Sequence, residues 1–263
     1  MKSVKGKTAL VTGASSGIGA AFAWQLAEKG CHLIITARSK DRLEMTAQSI
    51  RQKYGVRVTV HAADLSDEQE PHLLYNKVIE DRLQVDLLIN NAGFGKWANF
   101  LDEPLPIYEE MMEVNMASLV KLTYLFLPQM LTKGEGGIIN IGSTGSFQPC
   151  PYVALYCATK AFVLNFSEAL YGEYAQKGII VTAVCPGNTT TGFFDIARAN
   201  TKGMSFDPPE RVAKDGLEAL LKGRNYTVIG RSNYWQSLSS RFFTRKMIIR
   251  ITGNMFNKKV NGR

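Results

Sequence analysis

The chain has 263 residues, of which 45% are hydrophobic and 21% charged, a balance that excludes an intrinsically disordered protein. Its net charge of +8 comes from the carboxyl end: residues 219–263 contain ten Lys and Arg and no acid, and the first 218 residues have a balance of −2. A nucleic-acid binder would spread cations along a binding face, so we expect no nucleic-acid partner. The four cysteines and three histidines lack metal-ligand spacing, and we expect no metal.

Short apolar runs rich in β-branched residues alternate with longer amphipathic stretches along most of the chain. The predicted strands are Thr8–Thr12, Leu33–Ala37, Arg57–Ala62, Leu87–Asn90, Gly137–Ile141, Ile179–Cys185 and Tyr226–Ile229. The predicted helices are Ile18–Lys29, Lys40–Tyr54, Glu68–Asp81, Pro106–Leu131, Ala154–Gln176 and Pro209–Lys222. This alternation predicts an α/β fold: a single-domain, Rossmann-type, doubly wound parallel sheet of about seven strands, with helices on both faces.

Two segments fall outside this alternation. Residues 189–209 lack a clean periodicity and predict a substrate flap over the carboxyl edge of the sheet, within a domain that covers residues 1–230. Residues 231–263 are interpreted as a basic amphipathic C-terminal extension. No stretch has the roughly 18 uninterrupted apolar residues of a membrane span, and the start does not resemble a signal peptide, so we expect a cytoplasmic protein.

A glycine-rich turn, Thr12–Gly19, connects the first strand to the first helix. Gly13, Gly17 and Gly19 let the chain turn sharply and bring backbone N–H groups close to an anion, and the helix N-terminus adds its positive dipole end. In a parallel sheet, a turn at this position predicts a dinucleotide diphosphate site. Ser15 and Ser16 can donate further hydrogen bonds to phosphate.

The ends of the next strands predict which dinucleotide is bound. An NAD site usually has an acid at the tip of the second strand, but here Ala37 is followed by Arg38, whose guanidinium can pair with a 2′-phosphate. We therefore expect NADP(H). Asp64, before Leu65, can accept from the adenine amino group, and Asn91, Ala92 and Gly93 permit close approach of the adenosine ribose.

Four polar residues predict carbonyl–alcohol chemistry. Tyr156 and Lys160 are four residues apart and share one face of a helix. A free phenol has a pKa of about 10. The neighbouring ammonium, together with the positive nicotinamide ring of the oxidised cofactor, is expected to lower the Tyr156 pKa towards working pH, so that Tyr156 can transfer a proton. Ser143 can hold the substrate oxygen, and Asn115 can hold a water that resupplies the proton.

These motifs, in this order, resemble the short-chain dehydrogenase/reductase family over about residues 5 to 192. The resemblance implies an NADP(H)-dependent oxidoreductase that forms homodimers or homotetramers. It implies cofactor contacts at Gly13, Ser15, Ile18, Gly19, Arg38, Asp64, Leu65, Asn91, Gly93, Tyr156, Lys160, Pro186 and Gly187, with Thr191 or Thr189 near the nicotinamide carboxamide. An apolar stripe on the helix of Tyr156 can form a subunit interface or face the core: Phe162, Phe166, Leu170 and Tyr174.

Aromatic residues on the loops around the nicotinamide end predict an apolar pocket for a hydrophobic ketone or aldehyde. They are Phe94, Trp97, Phe147, Pro149, Tyr152, Phe193 and Phe194, with Pro149 included for its apolar ring. The basic segment Trp235–Lys259 is open to three interpretations: it lies on an anionic membrane, covers the pocket, or packs on a second subunit. A second hypothesis for the whole chain is a catalytically idle NADP(H)-binding redox sensor or peripheral membrane regulator.

Overall fold

The computed structural model describes residues 1–262, and within them seven strands form one parallel sheet. The strands are β1 (Thr8–Thr12), β2 (His32–Ala37), β3 (Val58–Ala62), β4 (Leu87–Asn90), β5 (Gly136–Ile141), β6 (Ile179–Cys185) and β7 (Tyr226–Val228). Their spatial order is β3-β2-β1-β4-β5-β6-β7. From β1, the chain adds strands first towards one edge of the sheet and then, from β4 onwards, towards the other edge. This change opens a crevice at the carboxyl ends of β1 and β4.

Ten α-helices occur in the described residues. They are α1 (Gly17–Glu28), α2 (Lys40–Tyr54), α3 (Glu70–Glu80), α4 (Leu105–Met112), α5 (Ser118–Lys133), α6 (Ala154–Tyr174), α7 (Phe193–Ile196), α8 (Pro209–Leu221), α9 (Arg231–Phe242) and α10 (Arg245–Val260). Between residues 1 and 262, no helix combines the length and apolar character that a membrane span requires.

The core lies on both faces of the sheet because successive side chains of a strand point to opposite sides. Val11 and Ile35 face the cluster that includes Phe22 on α1, whereas Leu10 and Ile34 face the opposite cluster. The pairing of Leu10 with Ile34 and of Val11 with Ile35 keeps both sets in register. The predicted α/β architecture with helices on both faces is confirmed.

The strand and helix boundaries agree with the predictions to within two residues in most elements, but the predicted helix Pro106–Leu131 is not uniform. A π-helical turn, Glu113–Ala117, separates α4 from α5. Such a turn inserts one extra residue into the helix and is often found at functional sites. In the predicted flap, α7 and an isolated bridge between Thr189 and Asp207 provide local order.

Candidate active site

A cleft of about 710 Å³ runs along the carboxyl edge of the sheet, from the glycine-rich turn to helices α9 and α10. It brings together most residues that the sequence predicts for the site: Gly13, Ser15, Ser16, Gly17, Ile18, Arg38, Asp64, Leu65, Asn91, Ala92, Gly93, Ser143, Tyr156, Lys160, Pro186, Gly187, Thr189 and Thr191. Two predicted residues do not line it, because Gly19 lies behind the turn and Asn115 lies behind the loop of Gly93.

The glycine-rich turn has the shape of an anion cradle. Residues larger than glycine would not fit at its glycine positions. Gly13 and Gly17 have φ angles of +65° and +56°, which favour glycine. A Cβ on Gly19 would lie 2.3 Å from the Gly13 carbonyl oxygen, and one on Gly17 would lie 2.9 Å from Thr191 Cγ2. The turn, the N-terminus of α1 and the continuous cleft therefore fit a dinucleotide diphosphate.

The Asn91 amide supports this turn. Its Nδ2 donates to the carbonyl oxygens of Thr12 (2.8 Å) and Gly13 (3.3 Å), and the Asn91 backbone N–H donates to Thr12 Oγ1. The side chain therefore holds the ends of β1 and β4 together at the crevice. The predicted contact of this segment with the adenosine ribose stays a prediction.

Two arginines lie at the far end of the cleft, where the adenosine phosphate of NADP(H) is expected. Arg38 follows β2, its side chain is 67% exposed, and its Nη1 lies 3.7 Å from Glu110 Oε1. Arg42, on the first turn of α2, also lines the cleft. The sequence reasoning missed Arg42, which lies beside Arg38 in the cleft lining although Arg38 precedes the helix and Arg42 is on it. Asp64 lines the same end, and its Oδ1 accepts from the backbone N–H and hydroxyl of Ser66.

The reactive end is built from the end of β5 and the first turns of α6. Lys160 is buried and its Nζ donates to the Ile141 carbonyl oxygen over 2.8 Å, 5.8 Å from the centroid of the Tyr156 ring. Ser143 begins a short helical turn and accepts from the Gly145 N–H. Ser146, which the sequence reasoning missed, connects the two elements, because it accepts from the Ser143 N–H and donates to the Lys160 carbonyl.

Burial shifts the pKa values of both residues of the pair. Loss of hydration lowers the pKa of Lys160 to about 8 and raises that of Tyr156 well above its usual value, an effect that a hydrogen bond with Ser143 opposes. In the protein without its cofactor, desolvation is the larger effect on the Tyr156 pKa, and the lowering expected from Lys160 together with the oxidised nicotinamide ring stays a prediction. A phenol that keeps its proton near neutral pH is suited to act as a proton donor.

Asn115 is held in the π-helical turn by hydrogen bonds that the sequence did not predict. Its Oδ1 accepts from the Phe94 N–H (3.1 Å), and its Nδ2 donates to the Phe94 carbonyl and to Thr159 Oγ1, both over 3.0 Å. A Cβ on Gly93 would lie 2.8 Å from Asn115 Oδ1 and 3.4 Å from Lys160 Nζ. Asn115 thus fixes the loop beside the ammonium, and its predicted water stays a prediction.

The substrate end of the cleft is aromatic, but the predicted set of lining residues is partly wrong. Phe94, Trp97, Phe193 and Phe194 line it. Phe147, the last residue of the short helical turn that follows β5, packs instead against the cluster of Leu164. Pro149 and Tyr152 lie outside the cleft lining, and Tyr152 borders a separate small pocket.

Helices α9 and α10 form part of the cleft wall, which is one of the three interpretations of the basic segment. Thr252 donates to the Pro149 carbonyl over 2.9 Å, and Phe256 packs edge-on against Trp97 with ring centroids 4.9 Å apart. Asn233 lies on Gly187, where a Cβ would approach its Nδ2 to 2.4 Å. The cleft lining also includes Gln236, Met255, Phe256 and Lys259 of the basic segment, and the sequence reasoning missed Gln148, Cys150, Val153 and Met204.

The apolar stripe on α6 is divided between surface and core. Phe162 is exposed and stacks on Phe166, with ring centroids 5.6 Å apart. Leu170 and Tyr174 pack against the buried cluster of Leu10. The core interpretation therefore holds for Leu170 and Tyr174, and a subunit interface at Phe162 stays a prediction.

Comparison with known proteins identifies relatives over most of the chain. A family model described as short chain dehydrogenase matches residues 7–202. The very-long-chain 3-oxoacyl-CoA reductase of Anas platyrhynchos is 37% identical over 210 residues, which are 78% of this chain and 65% of that protein. The hydroxysteroid dehydrogenase-like protein 1 of Gallus gallus is 35% identical over 82% of this chain and 66% of its own length. The chain therefore spans just under two thirds of the length of these relatives.

The solved structures include a close match in fold. A short-chain dehydrogenase from Sphingobium yanoikuyae in complex with NADPH has a TM-score of 0.82 and 32% identity, over 90% of this chain and 93% of that one.

Proposed function

Because this chain belongs to the short-chain dehydrogenase family of oxidoreductases, we propose that it uses NADPH to reduce the ketone of a long-chain 3-oxoacyl thioester. The main support for this proposal is one observation. Tyr156, Ser143 and the buried Lys160 lie together where a cleft with a diphosphate cradle meets an aromatic wall.

The cofactor assignment rests on the two ends of the cleft. The glycine-rich turn would hold the diphosphate, and Arg38 and Arg42 would pair with the 2′-phosphate that distinguishes NADPH from NADH. Lys160, with its ammonium beside Gly93, would hold the ribose hydroxyls next to the nicotinamide. When bound, NADPH supplies the hydride that reduces the carbonyl carbon.

The chain's own residues handle the proton. Ser143 donates a hydrogen bond to the carbonyl oxygen of the substrate and stabilises the negative charge that develops there. Tyr156, neutral because of its burial, transfers its hydroxyl proton to that oxygen. The pKa of Lys160 is lowered to about 8, which is near neutral pH. Its ammonium can therefore return a proton to the Tyr156 oxygen after Tyr156 has protonated the substrate.

The substrate class is narrower than the hydrophobic ketone or aldehyde that the sequence predicts. Several relatives with 32% to 37% identity are very-long-chain 3-oxoacyl-CoA reductases, and the aromatic wall of Trp97, Phe193 and Phe194 suits an acyl chain. The four polar residues and the reductase relatives provide no support for an idle redox sensor. We further propose that the protein is cytoplasmic and forms a homodimer or homotetramer through the face of α6 that exposes Phe162.

The test measures NADPH consumption with 3-oxoacyl-CoA thioesters of increasing chain length, a steroid ketone and a free aliphatic ketone. We expect kcat/KM to rise with acyl length, and Tyr156→Phe to lower kcat by about 10²- to 10⁴-fold while NADPH affinity is kept. Tyr152→Phe is the matched control, because that hydroxyl lies outside the cleft lining, and it should keep full activity. No turnover of any thioester, or equal rates for both variants, would disprove the proposal.

A further inference from the structure

The outer surface of α9 and α10 exposes many large apolar side chains. Trp235 is 69% exposed, Phe242 80% and Ile251 56%. The full set in this segment is Tyr234, Trp235, Phe242, Phe243, Met247, Ile249, Ile251 and Met255. Single exposed apolar residues are normal, but a concentration of this kind on two consecutive helices indicates an interaction surface.

The exposed residues of α10 are arranged around the buried ones. Ile248 and Thr252, four residues apart, face the body of the protein and are 4% exposed. Met247, Ile251 and Met255 follow the same spacing one position earlier, so that they form a strip along the side of the helix. Met255 is both exposed and part of the cleft lining. The apolar strip therefore extends to the mouth of the cleft.

The charge of this segment selects the partner. Exposed cations accompany the apolar strip: Arg241, Arg245, Lys246, Arg250 and Lys258. Residues 219–263 contain no acid, and in the part of the chain that the structure describes no ion pair involves residues 231–262. Apolar and aromatic side chains with unneutralised cations fit an anionic lipid surface, where the cations attract the headgroups and the apolar groups enter the interface.

We propose that α9 and α10 dock the protein onto an anionic lipid surface, with the mouth of the cleft at the strip of Met247, Ile251 and Met255. A second copy of this chain is a poorer occupant, because pairing two of these surfaces would bring like charges together without an acid on either side. Delivery of a lipid-dissolved substrate through this mouth rests on the proposed function, whereas docking itself does not.

The test is flotation of the full chain with vesicles of phosphatidylcholine alone or with added phosphatidylserine. We expect binding to the anionic vesicles, weakened by salt. The variant Met247→Ser/Ile251→Ser should lower the partition coefficient by about tenfold or more. Its matched control, Met45→Ser/Leu73→Ser, removes exposed apolar groups from α2 and α3 and should bind like the unmodified protein.

A second pair of variants tests the charges. Lys246→Gln/Arg250→Gln should abolish the preference for anionic vesicles, whereas Lys29→Gln/Lys77→Gln, which removes two exposed cations elsewhere, should keep it. Unchanged melting temperatures show that each variant is folded.

Absence of binding to anionic vesicles, or an equal loss in the control variants, would overturn the proposal. A dimer in light scattering that Met247→Ser/Ile251→Ser separates, without vesicle binding, would assign the surface to a second copy instead. Binding of RNA but not of vesicles would likewise overturn it. Vesicle binding by a protein that reduces no thioester would refute the proposed function and leave docking supported.

Discussion

Arg38 offers the sharpest test of the cofactor, because it lies where NADPH and NADH differ. The substitution Arg38→Gln removes the guanidinium but keeps a side chain of similar length and polarity. Since the adenosine end of the cleft otherwise stays intact, we expect NADPH to bind more weakly and NADH to bind as before.

The structure sets the size of this effect. A hydrogen bond to a charged group contributes about 1.5–3 kcal/mol, but the Arg38 side chain is 67% exposed, so solvent screening reduces the expected loss to about 1–1.5 kcal/mol. That corresponds to a roughly five- to twelvefold weaker Kd for NADPH. Arg42→Gln should act in the same direction, and the double variant should lose about 25- to 150-fold in NADPH affinity if the two arginines act independently.

Removing the charge of Glu110 should change NADPH affinity in the opposite direction. Its carboxylate lies 3.7 Å from Arg38 Nη1 and competes with a phosphate for the guanidinium. We therefore expect Glu110→Gln to strengthen NADPH binding by about two- to threefold.

Both effects are measured by titrating NADPH and NADH against intrinsic fluorescence in the same buffer. An equal loss of affinity for both dinucleotides in Arg38→Gln would show that Arg38 stabilises the fold and does not bind the 2′-phosphate. Unchanged NADPH affinity in the double variant would refute the assignment to NADP(H).

Three further perturbations test the site and the core. Gly19→Ala would place a Cβ 2.3 Å from the Gly13 carbonyl oxygen, and it should abolish measurable dinucleotide binding in the same titration. Its control, Gly172→Ala, has nothing within 4 Å and should stabilise the protein by about 0.5–1 kcal/mol, measured by denaturant unfolding. The kcat of reduction should fall as pH rises through about 8, because the Lys160 ammonium loses its proton there; a flat profile would exclude that role. Phe126→Ala, at a fully buried position, should lower the free energy of unfolding by about 3–5 kcal/mol without changing dinucleotide affinity.

The parts of the site that depend on one stretch of chain were predictable. The buried strands, the glycine-rich turn and the shared face of Tyr156 and Lys160 follow from residue spacing, because strand and helix periodicities are local properties. The absence of an acid after Ala37 was equally predictable, because it is read directly from the local sequence. Arg42 was not predictable in this way, because Arg38 precedes α2 and only the turn between β2 and α2 brings the two arginines to one end of the cleft.

Other features required contacts between distant segments. The sequence of α4 and α5 does not indicate that Asn115 lies in a π-helical turn, since the hydrogen bonds that hold it come from Phe94 and Thr159. The Tyr156 pKa likewise depends on the side chains that exclude water around it, which no spacing reveals.

By itself, the sequence determined the doubly wound sheet, the order of the site along the chain and the identity of its polar residues, because each depends on neighbours within a few positions. Only the tertiary structure decided that α10 closes the cleft through Phe256 and Trp97, and that Phe147 packs away from it. An amphipathic helix shows that it has an apolar side, but which surface that side covers is decided by the free energy of burying it against partners far away in the chain.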